Sequence, residues 1–366
     1  MTQNSKTNRI SRGHNALKSG FKSVFIVFIL TLIIHSCDNS LIVDFEAKTD
    51  PQKPNFVELT NKSSGAYDSA NWLIRNQTIN KPEKLEAYFP FKGQQEIGLI
   101  VYGKTNQDTI FKQIEITKND PNYIDRLELV WQDDFNGEHL DKHSYTYATG
   151  DHGWGNQELQ NYTNGENTTI KDGKLNIHIR KIDNKKEPGS YTSSRIHTKD
   201  KKEFQYGRYE INAKLPAGKG IWAAIWMLGS NIDSVGWPAC GEMDIMEYVG
   251  FEPNTVHSTV HVPAGYAGNG DGSKIELESC EEDFHTYGML WTPSKLIFYV
   301  DSLENVVHTY APSPKNIENW PLNQPAFLIL NVAAGGTWGG LQGVDNSIFP
   351  QTMEIDHVKV FQAAIF

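Results

Sequence analysis

An all-β fold, with a small immunoglobulin-like β-sandwich ahead of a larger jelly-roll sandwich, follows from three features of the sequence. β-Branched and aromatic runs alternate with Gly, Asn, Pro and Asp turns over most of the chain. No long stretch keeps a helical period. The series of strands is interrupted once, at ITKNDPNYIDR, where Asn119, Asp120 and Pro121 break the pattern and separate a short series from a long one.

Residues 1–36 stand apart. They carry five Lys/Arg and no acid, then an apolar run, residues 24–34, too short to span a bilayer. Ile34-His35-Ser36-Cys37 follows, with a small residue before the cysteine. This segment reads as a signal peptide. It resembles a bacterial lipoprotein signal with Cys37 as the lipidated N-terminus; the alternative is an ordinary secretory signal with an incidental cysteine. Cleavage removes five positive charges and takes the formal net charge from −10 to −15. So acidic a chain does not invite nucleic acid or an anionic membrane face. With no other stretch long and apolar enough to be a membrane helix, attachment would come from the lipid alone, at the outer-membrane surface or in the periplasm.

Once Cys37 is acylated, Cys240 and Cys280 are the cysteines left, in a compartment where a disulfide can form. A Cys240–Cys280 bridge and two buried free thiols both remain open. Neither a C-x-x-C spacing nor a Cys/His cluster points to zinc.

The roughly 330 residues that remain suggest two domains. Residues 37–120 read as short strands between turns: LIVDFEA, NFVELTNKSSGA, LEAYFPF, QEIGLIVYGK and TIFKQIEIT. Alternation is plain in Phe56-Val57-Glu58-Leu59, so a small antiparallel sandwich is expected. With FVELTNKSSGA early, Trp72 in a middle strand and GLIVYGKT late, the segment looks like the PKD-type immunoglobulin-like modules. No ionisable cluster stands out in it. Residues 121–127 form a linker, and a new strand begins at Leu127 with LELVWQDDFNG.

Residues 128–366 are expected to build one two-sheet sandwich of the jelly-roll type. An Asp172-Gly173 turn between alternating runs marks a hairpin. The central stretch is GEMDIMEYVG, in which Glu242, Asp244 and Glu247 are threaded through Met243, Ile245 and Met246. Strand alternation puts Glu242 and Asp244 on one face and Glu247 on the other. A β-bulge at Ile245–Met246 would return Glu247 to the face of the other two acids. Two carboxyls about 5 Å apart would suit a retaining glycosidase, one attacking the anomeric carbon and the other serving as acid and base. Packed like charges should push their pKa values apart. The plainer alternative is a solvated strand face.

With WPACGEMDIMEYVG, WGNQELQNYT, FQYGRYEINAKLPAGKGIWAAIWMLG, VHSTVHVPAGY and NVAAGGTWGG, the chain resembles glycoside hydrolase family 16, and within it the bacterial laminarinases that cut β-1,3-glucan. The resemblance implies a concanavalin A-like jelly roll with a cleft across its concave sheet. It implies Glu242 as nucleophile, Asp244 as its assistant and Glu247 as acid/base. It further implies that Asn156, Arg208, Trp222, Trp226, Trp237, His261 and Trp338 bind substrate, in keeping with aromatic platforms for the apolar faces of sugars. Family usage shows Gly where Ser258 stands. The family often holds one structural calcium, here matched to Asp134, Gly173 and Asp356. No cofactor is expected for catalysis; the expected partner is β-glucan, and the protein is expected to be a monomer. The N-terminal module would be a spacer or a glycan binder. Alternatives are the same chemistry on mixed-linkage glucan or a marine galactan, or a glucan-binding protein without catalysis, although both glutamates are present.

Overall fold

Alternation decides which face of each strand turns inward, and in the N-terminal part it is regular. The computed structural model describes residues 40–75 and 77–366; the signal segment, 1–36, and Cys37 lie outside the described residues. Strands Phe45–Asp50, Lys53–Asn61 and Lys84–Tyr88 form one sheet. Strands Gln77–Ile79, Ser69–Ile74, Gly93–Tyr102 and Gln107–Ile116 form a second. Val57 and Leu59 from the first meet Ala70, Trp72, Ile97 and Leu99 from the second. Phe45 strikes the Trp72 indole edge-on at 5.3 Å, and the Trp72 N–H donates to the Lys81 carbonyl at 2.8 Å, so the buried indole keeps its hydrogen bond.

The strand Leu127–Asp133 then enters a ten-stranded sheet, in which the long strand Gln351–Ala363 pairs with Gly207–Lys214 along one edge. An eight-stranded sheet packs on it. Its order runs Asp271–Glu276, Thr255–His261, Glu242–Val249, Ile221–Gly229, Ala326–Ala334, Arg195–His197, Thr146–Ala148, with Glu203–Phe204 beside Ala326–Ala334. The core between the sheets takes Ile225, Met227, Met243 and Tyr248 from one side and Tyr209, Ile211, Met289 and Phe298 from the other. The all-β, two-sandwich expectation is met. The expected hairpin is present as well: Lys171 pairs with Lys174, and Asp172 and Gly173 both have positive φ, 53° and 66°, as a two-residue type I′ turn demands. Among the described residues no helix is long and apolar enough to cross a membrane.

The two sandwiches are joined by more than a linker. Tyr123 is buried in a small apolar cluster with Tyr88, Leu290 and Ala363. Past the last strand, Ile365 enters the N-terminal core, and the Arg75 guanidinium donates to the Ala364 carbonyl at 2.9 Å.

Candidate active site

In Ile221–Gly229 the buried core residues are Ile221, Ala223, Ile225 and Met227, so Trp222 and Trp226 face away from the core on the other side of the sheet. The neighbouring strand Glu242–Val249 cannot keep the same rhythm. Met246 pairs with Ile225 but Asp244 pairs with Trp226, so Ile245 is an extra residue. On its other edge Asp244 opposes Thr259 and Glu247 opposes His257, leaving Ile245 and Met246 against Ser258 alone. This is the expected bulge. Ile245 and Met246 both enter the core, and Glu242, Asp244 and Glu247 share the face of the two tryptophans. The Ser258 hydroxyl donates to the Ile245 carbonyl at 2.9 Å, so the group that the bulge takes out of the ladder is satisfied.

The acids are deep. Asp244 is 2% exposed. Burial pushes the Glu242 carboxyl well above the usual range and repulsion from Asp244 adds to it, while His261 and the Trp237 hydrogen bond oppose the rise. Asp244 is also pushed well up, by burial and then by Glu247. Glu247 is raised by burial, opposed by a hydrogen bond from Trp222. The Trp237 indole donates to Glu242 Oε2 at 2.7 Å and the Trp222 indole to Glu247 Oε1 at 3.1 Å. His261 Nε2 lies 3.3 Å from Asp244 Oδ2 and 3.8 Å from Glu242 Oε1. Of the Glu242–Asp244 pair, Asp244 is the better proton holder: it is the more buried, and the Trp237 hydrogen bond that favours an anion falls on Glu242. Potential ligand atoms of Glu242, Asp244 and His261 lie within 4.8 Å of one another, the compactness needed for proton sharing.

Aromatics frame the acids. Trp338 meets Trp222 edge-on at 5.5 Å. At the other end the half-exposed Trp237 meets an equally exposed Tyr266 at 5.3 Å. Trp226 donates to Asn331 Oδ1 at 2.7 Å, and Asn331 donates to the Tyr162 hydroxyl at 3.1 Å. Tyr162 and Gln160 both donate to the buried Glu158, as does Asn156 at 3.1 Å. Asn156 also accepts the Thr337 amide of the Trp338 loop at 2.7 Å.

Residues 155–359 match the profile described as glycosyl hydrolases family 16. The chain belongs to this family. It is 42% identical over 248 residues to the beta-glucanase of Rhodothermus marinus, covering 64% of this chain and 85% of that protein. It is 37% identical over 269 residues to glucan endo-1,3-beta-glucosidase A1 of Niallia circulans, covering 67% of this chain and 39% of that protein. The solved laminarinase from Flavobacterium sp. UMI-01 superposes with a TM-score of 0.60 at 46% identity, covering 64% of this chain and all of that one.

In this family 16 chain, most residues expected at the cleft converge on the acidic face: Asn156, Trp222, Trp226, Trp237, His261 and Trp338. Arg208 is the correction. It stands on the ten-stranded sheet, in a strand whose inward residues are Tyr209, Ile211 and Ala213, so it points outward, against Glu210 at 3.3 Å and over the Phe361 ring at 4.3 Å. The arginine of the acidic face is Arg195, missed from the sequence. Its guanidinium is clamped between the Trp154 and Trp226 rings at 4.7 Å from each. Glu158 was also missed as a hub. In sequence each is one polar residue in a short alternating run, and the partners arrive from distant strands.

The cysteine question closes on free thiols. Cys240 and Cys280 are both buried and unbridged, packed in different apolar clusters, and burial pushes them up to about 11 and about 12. The residues matched to calcium lie together on the ten-stranded sheet. Strands Leu127–Asp133 and Lys174–Lys181 lie along the strand Gln351–Ala363, pairing with 358–363 and 351–355. Asp356 falls at the gap between them, flanked by Asp134 and Gly173. Its half-exposed carboxylate accepts from its neighbour His357 at 2.8 Å. A carboxylate beside the ends of two strands offers oxygen donors of the kind calcium takes.

Proposed function

We propose that this protein is an endo-acting, retaining glycoside hydrolase of β-1,3-glucan, with Glu242, Asp244 and Glu247 as its catalytic acids. The bulge that turns all three onto one tryptophan-lined face carries the reading. Glu242, its anion favoured by Trp237 and His261, attacks the anomeric carbon. The bond from that carbon to the bridging oxygen breaks, and the oxygen takes its proton from Glu247, kept protonated by burial. Glu247, now ionised, removes a proton from water. The oxygen of that water attacks the same carbon, the ester to Glu242 breaks, and the two displacements together retain configuration. Asp244 holds the proton that the Glu242–Asp244 pair shares, which leaves Glu242 free to attack. Trp222, Trp226, Trp237 and Trp338 supply stacking faces, and Asn156 and Arg195 supply donors to hydroxyls.

The names borne by the similar proteins support β-glucan as substrate. With one guanidinium among three acids, the face is a poor host for sulfated galactans. Within the same proposal, Cys37 carries a lipid that tethers a monomer to the cell envelope, and residues 37–120 are a PKD-like module. A calcium held by Asp356 with carbonyls at Asp134 and Gly173 would brace the ten-stranded sheet, away from the chemistry.

Reducing-sugar release from laminarin, lichenan, agarose and carrageenan tests the substrate, with product anomers followed by NMR. Oligosaccharides released from laminarin, appearing first as the β-anomer, are expected. Rapid release from agarose alone, or initial α-anomer, would refute the reading.

A further inference from the structure

The strand Thr255–His261 faces the acids one for one: His261 opposes Glu242, Thr259 opposes Asp244 and His257 opposes Glu247. The two histidines nevertheless differ. His261 reaches the carboxyls themselves. His257 turns to Glu252, Nε2 to Oε2 at 3.1 Å, and Lys274 holds that carboxylate at 3.1 Å from the next strand.

From there the contacts run inward as interlocked rings. The His257 imidazole meets Trp338 at 4.9 Å and 86°, Trp338 meets Trp222 at 5.5 Å and 81°, and the Trp222 N–H ends on Glu247. The loop that carries Trp338 is rich in glycine. Gly335 and Gly336 both take positive φ, 70° and 80°, and at Gly339 a side chain would meet Trp222 Cβ at 2.7 Å, so this part of the loop has little room for side chains of its own. The two rings that meet the indole, His257 and Trp222, both come from outside the loop.

We propose that His257 is a positioning residue: anchored by Glu252 and Lys274, it holds Trp338 upright, and through Trp338 keeps the Trp222 indole on Glu247. This rests on the reading of Glu247 as acid/base. The Trp222 bond favours the Glu247 anion, against burial. Loosening it therefore lets the Glu247 pKa climb and moves the basic limb of the rate profile to higher pH. Among the described residues, the other titratable groups facing Glu247 are Glu242 and Asp244 on its own strand and His261 on the next, and a change at His257 leaves all three in place.

The test compares His257→Ala, Trp338→Ala and the double variant on laminarin, as kcat and KM across pH, with near-UV circular dichroism of the paired indoles. The expected result for His257→Ala is about a 10-fold loss in kcat/KM, as misplacement remote from the chemistry produces, a basic limb moved up in pH, and a weakened indole signal. The double variant should be no worse than Trp338→Ala, because the two residues act in series. His257→Gln, whose amide can still donate to Glu252, should recover most of the loss. Losses that add independently, or a near-UV signal and basic limb identical to the parent, would overturn the proposal. If the parent protein leaves laminarin intact, the glucanase reading fails, while the near-UV comparison still decides whether His257 props the indoles.

Discussion

The two sandwiches use the same material to opposite ends. In the N-terminal one, Ser69–Ile74 alternates without exception, burying Ala70, Trp72 and Ile74, and among the described residues none of its acids is buried. In the catalytic sandwich, all of Glu242–Val249 after its first residue is buried, carboxylates included. A strand that obeys the period on both faces is optimised for packing. One that breaks the period to keep three acids on a dry face gives up stability for chemistry, so replacing one of those acids and replacing a core residue of the N-terminal sandwich should shift stability in opposite directions.

Glu242→Gln is the sharpest way to break that contrast. Removing the proposed nucleophile should lower kcat on laminarin on the order of 10⁴-fold, and the same change should raise the melting temperature. The sign follows from linkage. The folded protein holds the Glu242 proton more tightly than the unfolded chain, whose value is near 4.5. The stabilisation from that proton is complete below about 4.5 and is lost as pH rises through the folded value. Glutamine has no proton to lose, so the advantage of the variant should be evident at pH 7 and shrink toward pH 4. A variant less stable than the parent at pH 7, by thermal melts read across this range, would remove the claim that the acids are strained.

Trp72→Ala is the counterpart in the small sandwich. The indole is fully buried against Phe45, and its loss should cost about 3–5 kcal/mol, measured by denaturant unfolding. Ile365 lies in the same core although it follows the last strand of the catalytic sandwich, and Ala363 sits in the junction cluster. The loss is therefore expected to appear in one shared transition. A separate early transition, with the catalytic sandwich melting as before, would show the two units to be energetically independent.

What the sequence revealed follows the same division. Charge threaded through an apolar strand is anomalous in one dimension, so the acids and the bulge between them could be read directly. The Asp172-Gly173 turn was legible because local sterics alone decide it. Arg195 was not, because what distinguishes it is a place between Trp154 and Trp226, rings that only the fold brings together. Arg208 misled for the complementary reason: alternation placed it on a strand face, but nothing local tells which sheet that strand joins. The docking of Ile365 into the N-terminal core was likewise invisible, being a contact between the two ends of the described chain.

The smallest effect concerns the bulge itself. Ser258 stands where the family was expected to have glycine, and its hydroxyl holds the Ile245 carbonyl. Ser258 is 2% exposed, so Ser258→Ala leaves that carbonyl without a partner in a dry site, at a cost of about 1–3 kcal/mol. Ser258→Gly opens room for a water molecule to take the place of the hydroxyl, and should cost less. Activity decides what the hydroxyl does. If it keeps the extra residue in register, and with it the aim of Glu247 relative to Glu242, then alanine lowers kcat while KM stays near the parent value, since the proposed stacking faces of Trp222 and Trp338 are untouched. An equal loss of stability with kcat unchanged would mean that the bulge is held by packing of Ile245 and Met246 alone.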